Sequence, residues 1–359
     1  MAWTHVRVTC THYRVSRDGP LSGRCVKRGA AMGESSDKVL TVSVAAYNVA
    51  EYLRETLASC KVRNSDKIEV IIVNDGSKDD TLRIAREFER EDPDLFRVID
   101  KPNGGYGSTM NASLGVARGK YFRHLDGDDW FDKRGLEEFV DLLAECEADA
   151  TITPYTFCYE DGSPSQTVDD MAGFAEGIHT QAELGHVQGI AAHSLAYRTE
   201  LLRTIGFRMT EGCFYTDCEY AYLPFSHVRS VYVGKSPVYC YRMGREGQSM
   251  SAAGIEAHHE DIVRVRVRLV RELAGISLED SPYLHNHLQE ECLAPYYFLL
   301  RIAPSRERKE ALVGYDRFLR QYPDLYRMAG KKSPKVRLLR ASAFLAYRFL
   351  CAAPSGDAR

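Results

Sequence analysis

The chain is poor in the features that would place it outside ordinary globular enzymes. Its ten cysteines form no C-x-x-C pair, which disfavours a zinc ribbon or a dithiol motif, and a chain of 359 residues has no need of disulfide staples. A reducing, cytoplasmic setting is the expectation. No uncharged apolar run reaches the roughly 18 residues of a spanning helix, and residues 1–28 hold no apolar signal-peptide core. A secreted or integral protein is therefore not expected. Charge of one sign is missing as well: 47 Lys and Arg against 50 Asp and Glu give a net charge of -3, no global reason for a nucleic-acid partner. Neither G-x-x-x-x-G-K-[ST] nor G-x-G-x-x-G occurs, so neither of those loops is available to cradle a phosphate.

What is present is a globular composition, 44% hydrophobic and 27% charged. Residues 1–31 carry six basic side chains and one acidic one without any period, and residues 1–36 are expected to be a disordered basic extension, with contact to anionic lipid as its sharper reading. From Val39 onward, β-branched runs recur: Val39 to Ala46, Ile68 to Asn74, Arg97 to Ile99, Tyr121 to Leu125 and Ala150 to Thr156. Helix-like segments lie between them, at Glu51 to Cys60, Asp79 to Glu91, and Ser108 to Arg118 with Gly119 as C-cap. The pattern predicts an α/β domain over residues 37–252, a mainly parallel sheet with flanking helices whose ligands bind beyond the carboxyl ends of the strands.

Two strand ends carry aspartates. Ile71-Ile72-Val73 runs into Asn74-Asp75-Gly76-Ser77, where Gly76 permits a sharp turn and Asp75 is expected to project into the crevice, although an Asp in a turn also serves as a plain helix cap. His124-Leu125 runs into Asp126-Gly127-Asp128-Asp129, three carboxylates within four residues. Such crowding raises pKa values or demands a cation, and hard oxygen ligands suit magnesium or manganese. A metal so held completes its shell with substrate phosphates. The Gly-rich stretch Lys101-Pro102-Asn103-Gly104-Gly105-Tyr106-Gly107 precedes a helix whose N-terminus favours an anion.

These residues carry a resemblance. Ser43 to Asn48, Val73 to Thr81, Asn103-Gly104-Gly105 and Asp126 to Asp129 stand in the order found in family 2 glycosyltransferases, whose donor-binding domain has the GT-A (Rossmann-like) fold, and the match runs over about Val39 to Ser251. The resemblance implies an inverting transfer from a nucleotide-diphosphate sugar, a UDP-sugar first among them, with a divalent cation, manganese or magnesium. By it, Tyr47, Asn48 and Asp75 hold the nucleotide base, Asn103, Gly104 and Gly105 line the donor site, Asp126 lies near the ribose, and Asp128 ligates the metal.

An inverting transfer also needs a carboxylate to take the acceptor's proton. The stretch Thr210 to Tyr220 resembles the family's base region, commonly Glu-Asp; Thr216 replaces the Glu, and Asp217 is the expected base, with Glu219 and Glu211 as fallbacks. Arg245 and Gln248, in the segment Tyr241 to Ser249, are expected near the donor phosphates, and His193 and Glu211 toward the acceptor. The Gln-x-x-Arg-Trp of processive relatives is absent, since the tryptophans are Trp3 and Trp130, so a single-addition enzyme acting on a glycan or lipid-linked acceptor in cell-surface polysaccharide synthesis is the expectation. The alternatives are a degenerate nucleotide-sugar-binding module, a nucleotidyltransferase, and a haloacid-dehalogenase-type phosphatase, whose pattern clashes with Trp130.

Residues 253–359 read as helical, including Val263 to Leu269 despite its alternation. Lys331, Lys332, Lys335, Arg337 and Arg340 precede the apolar stretch Ala341 to Ala353, a pattern that fits either a helix docked on the core or peripheral contact with the inner face of the membrane.

Overall fold

The computed structural model describes residues 37–244 and 251–351. The basic extension and the candidates Arg245 and Gln248 lie outside the described residues.

Among the described residues twelve strands follow in chain order: β1 Leu40–Ala46, β2 Ile68–Asp75, β3 Phe96–Lys101, β4 Tyr121–Asp126, β5 Trp130–Phe131, β6 Ala150–Ile152, β7 Tyr155–Tyr159, β8 Gln166–Val168, β9 Gly177–Thr180, β10 Leu195–Arg198, β11 Ser230–Val233 and β12 Tyr239–Met243. Eight form the main sheet in the order β3-β2-β1-β4-β10-β6-β11-β9, and the other four a small sheet, β5-β12-β7-β8. Strands β1 to β4 pair in parallel, and their near-continuous Val, Ile and Leu content reflects burial on both faces. Between β4 and β6, β10 is inserted antiparallel to both.

Three expectations are corrected. The run Ala150 to Thr156 is not one strand: Pro154, which has no N–H to donate, lies between β6 in the main sheet and β7 in the small one. Gly119 is not a C-cap, because the helix Tyr106–Val116 ends on Ala117; a Cβ on Gly119 would sit 2.3 Å from the Thr41 nitrogen, so the residue is small to let the chain enter β4 against β1. The apolar tail is not one helix either. It breaks after Pro334–Ala341 at Ala343 and Phe344, both in the left-handed region, and resumes only at Tyr347–Leu350.

One apolar core lies under Leu53–Ser59, Thr81–Glu91 and Lys133–Glu145, with Leu57, Ile84 and Val140 buried in one cluster with side chains of β1 and β2. A second joins Met110 and Leu114 to β6, β10 and β11, and includes Val265, Leu269, Leu299 and Leu312 from the later helices. The stretch Val263 to Leu269 is indeed helical, within His259–Leu273, burying Ile262, Val265, Arg266 and Leu269 on one face. No described helix is long and apolar enough to cross a membrane.

Candidate active site

Register brings the motifs together. Ala45 of β1 stands opposite Asp126 of β4, and Ala46 opposite Asn74 of β2, so three chain segments leave the sheet side by side at their carboxyl ends. Asn48, with φ 52, is one of few non-glycine residues in the left-handed region, where Asn is tolerated best. Its amide donates to Ser77 Oγ (3.1 Å) and its side-chain oxygen accepts from Lys78 N (2.8 Å), tying the first two turns together and leaving Tyr47 exposed beside them.

Asp75 does not project freely into the crevice. One carboxylate oxygen accepts from Gly104 N (2.9 Å) and Lys101 Nζ (2.5 Å), the other from Gly105 N (2.8 Å), and the residue is 2% exposed. The anion expected at the Gly-rich loop is thus the protein's own carboxylate. Gly76, at φ +74, is needed at this point, because a Cβ there would meet Asn103 N at 2.8 Å. The loop in turn holds the segment that leads to Asp217: Gly212 N donates to Gly104 O (2.6 Å), and a Cβ on Gly107 would lie 2.1 Å from the Thr210 oxygen. Two motifs about a hundred residues apart therefore share one backbone-on-backbone contact.

At the end of β4 the three aspartates separate by role. Asp129 is buried and engaged, accepting from Tyr239 Oη (2.6 Å) and Arg242 N (2.8 Å). Arg242 also donates from Nε to the Asp128 carbonyl (2.8 Å) and pairs with Glu55, while its guanidinium packs over Tyr52 and Trp130; it clamps the turn. Asp126 is the group under stress: its buried Oδ1 has no hydrogen-bond partner. Burial first, then the charges of Asp128 and Asp217, raise its carboxyl to about 7, against the opposing hydroxyls of Tyr106 and Tyr239. A ligand atom each from Asp126, Asp129 and His193 lies within 4.8 Å of the others. An unsatisfied buried carboxylate oxygen with more negative charge beside it is the environment a divalent cation relieves.

His193 is held by its neighbours. Its carbonyl accepts from Arg123, a fully buried arginine of β4, and its ring meets Tyr155, Tyr239 and Tyr241 at 4.7–5.6 Å between centroids. Burial, with a smaller push from Arg123, lowers its pKa to about 4, so the ring is neutral near pH 7. Tyr155, Tyr239 and Tyr241 around this histidine, and Tyr106 against the Asp126 carboxyl, are given no role by the sequence, because only the fold brings them together.

Asp217 opens the short helix Asp217–Tyr222, two residues after Tyr215, whose φ of 62 strains a non-glycine backbone. Asp217 is exposed. Loss of water around it nevertheless raises its carboxyl above the ordinary range, opposed chiefly by Arg266. Glu219 is no substitute base. It is 0% exposed and saturated by Thr210 N (2.7 Å), Thr210 Oγ1 (2.7 Å) and Arg268 Nη1 (2.6 Å), which tie the helix to His259–Leu273. Arg268→Met leaves this carboxylate short of its charged donor, and the melting temperature is expected to fall by several degrees, about 2 kcal/mol, in a calorimetric comparison with wild type. Glu211 is exposed and paired with Arg208 and Asn111.

Carboxylates gathered at the ends of parallel strands, over a sheet continued by an antiparallel insertion, define a GT-A-type α/β domain. Residues 41–206 match the family model Glycosyl transferase family 2, and the chain carries a family 2 glycosyltransferase domain. Curated homologues are glycosyltransferases: GlyA of Streptococcus pneumoniae is 28% identical over 273 residues, 72% of this chain, and the chain spans 38% of GlyA's own length. The fold is that of S. aureus TarS 1-349 in complex with UDP-GlcNAc, with TM-score 0.66 and 21% identity over 87% of this chain and 90% of that one. The mannosyltransferase PcManGT from Pyrobaculum calidifontis, in complex with GDP-Man and Mn2+, aligns with TM-score 0.52 and 18% identity over 87% and 85%.

Proposed function

We propose that the chain is an inverting, divalent-metal-dependent glycosyltransferase. It moves a sugar from a nucleotide-diphosphate donor, a UDP-sugar in the first instance, to a glycan or lipid-linked acceptor of cell-surface polysaccharide synthesis on the cytoplasmic side. The observation that carries this reading is Asp126: a buried carboxylate oxygen with no partner, raised to about 7 by burial and by Asp128 and Asp217, at the end of a central parallel strand. The UDP-GlcNAc and GDP-Man complexes of structurally similar proteins support the donor class.

In this reading Tyr47 and Asn48 line the base end of the donor cleft, and Asp75 acts through the loop Asn103–Gly105 that it fixes. Asp126 and His193, with Asp128 beside them, would hold the cation. When bound, that cation neutralises the departing diphosphate. Asp217 accepts the proton of the attacking acceptor hydroxyl at its carboxylate as the new glycosidic bond forms. Arg242 and Tyr239 keep the aspartate turn in place through Asp129.

Incubation with a panel of nucleotide sugars tests the reading. Release of the nucleoside diphosphate from one donor is expected with manganese and is abolished by EDTA. Release equally fast in EDTA contradicts the metal, and inertness with every donor and acceptor favours the degenerate binding module.

A further inference from the structure

Between Leu325 and Cys351 the chain has seven basic residues and no acidic one. Three of the seven are neutralised locally, Arg327 by Asp324, Lys332 by Glu290 and Arg340 by Asp316. Lys331, Lys335, Arg337 and Arg348 are exposed and make no ion pair among the described residues.

Beside these cations stand the two barest large apolar side chains of the described residues, Phe349 at 90% and Leu345 at 76% exposure, with Leu338 at 49%. Their display is built by the backbone. After Pro334–Ala341, Ala343 (φ 48) and Phe344 (φ 62) turn in the left-handed region without glycine, their amides donating to Arg340 O (3.1 Å) and Leu339 O (2.7 Å). Two such residues in succession are strained. Phe344 and Tyr347, at 5% and 1% exposure, anchor the turn in the core, which leaves Leu345 and Phe349 outside. Burial of the anchors thus offsets a strain whose outcome is two apolar side chains in water, flanked by unneutralised cations.

We infer that this segment docks on an anionic lipid surface, with Phe349 and Leu345 entering the interfacial layer and Lys331, Lys335, Arg337 and Arg348 facing the headgroups. A second copy of the chain is the poorer occupant, because it would bring the same positive charge against itself. The inference does not depend on the transferase reading and is tested apart from activity.

The full chain is sedimented with phosphatidylcholine vesicles, either pure or containing about one third phosphatidylglycerol, at low and high salt. Binding to the anionic vesicles alone is expected, weakened by salt. Leu345→Ser with Phe349→Ser lowers the partition coefficient about tenfold or more, with an unchanged melting temperature, since both side chains are exposed. Lys331→Gln with Lys335→Gln lowers it about fivefold for each charge and gives an independent reading should the first variant be unstable. Failure to sediment with anionic vesicles overturns the inference, as does equal binding to neutral ones or binding that neither variant weakens. A vesicle-free dimer dissociated by Phe349→Ser overturns it in favour of self-association.

Discussion

Asp217→Asn lowers the rate of sugar transfer by about 10²–10⁴-fold while leaving the nucleotide-induced thermal shift intact. The change removes the proton acceptor and keeps the shape of the side chain, so donor binding, which this reading places at the ends of β1, β2 and β4, is unaffected. pH separates this role from a structural one. The Asp217 carboxyl lies above the ordinary carboxylate range because the atoms packed around it strip away part of its water, although the residue is exposed. The active form is the deprotonated one, so the rate falls as pH drops through that raised value, and the acid limb lies at higher pH than a solvated aspartate gives. Wild-type rate unchanged in Asp217→Asn would remove it as the base, and neither Glu219, already saturated, nor the surface-paired Glu211 is placed to succeed it.

Asp126→Asn has the other large effect. It deletes the charge whose oxygen lacks a partner, and the apparent affinity for manganese is expected to fall by about 10²-fold or more, with nucleotide-sugar turnover falling alongside. The same variant has an opposite signature in EDTA. A carboxyl whose folded pKa is about 7, above its unfolded value, contributes stability that is complete below about pH 4 and is lost as pH rises through 7. Asparagine never ionises, so above pH 7 without metal the variant melts higher than wild type by about 2–4 °C, and the difference closes in acid. A lower melting temperature at pH 8 in EDTA would show that Asp126 is satisfied by the protein and needs no cation.

The parallel half of the sheet was legible because burial on both faces forces continuous β-branched runs, and Asp126-Gly127-Asp128-Asp129 was legible because crowded carboxylates after such a run have few uses. What stayed hidden depends on packing. β10 is four residues long and pairs with strands on either side of it in the sheet, which no local period announces. Asp217 and Glu219 are two acids of one short helix that only the family resemblance ranks, and the structure gives Glu219 to Thr210 and Arg268 while leaving Asp217 exposed. Asp75 read as a ligand for a substrate, yet its oxygens are taken by the amides of Gly104 and Gly105, contacts made across 29 and 30 residues. The tyrosines around His193 come from β7 and β12, two strands joined only by the fold.

The central claim is that the strand-end carboxylates form a metal-dependent donor site. It is tested most directly by thermal shift of the purified chain with UDP, GDP, CDP, ADP and dTDP, with and without manganese, because a ligand of the folded state raises its melting temperature. The account predicts a shift with one diphosphate, UDP first, that requires manganese and disappears in both Asp126→Asn and Asp128→Ala. A shift that persists without metal or in those variants would contradict it, and so would no shift with any of the five.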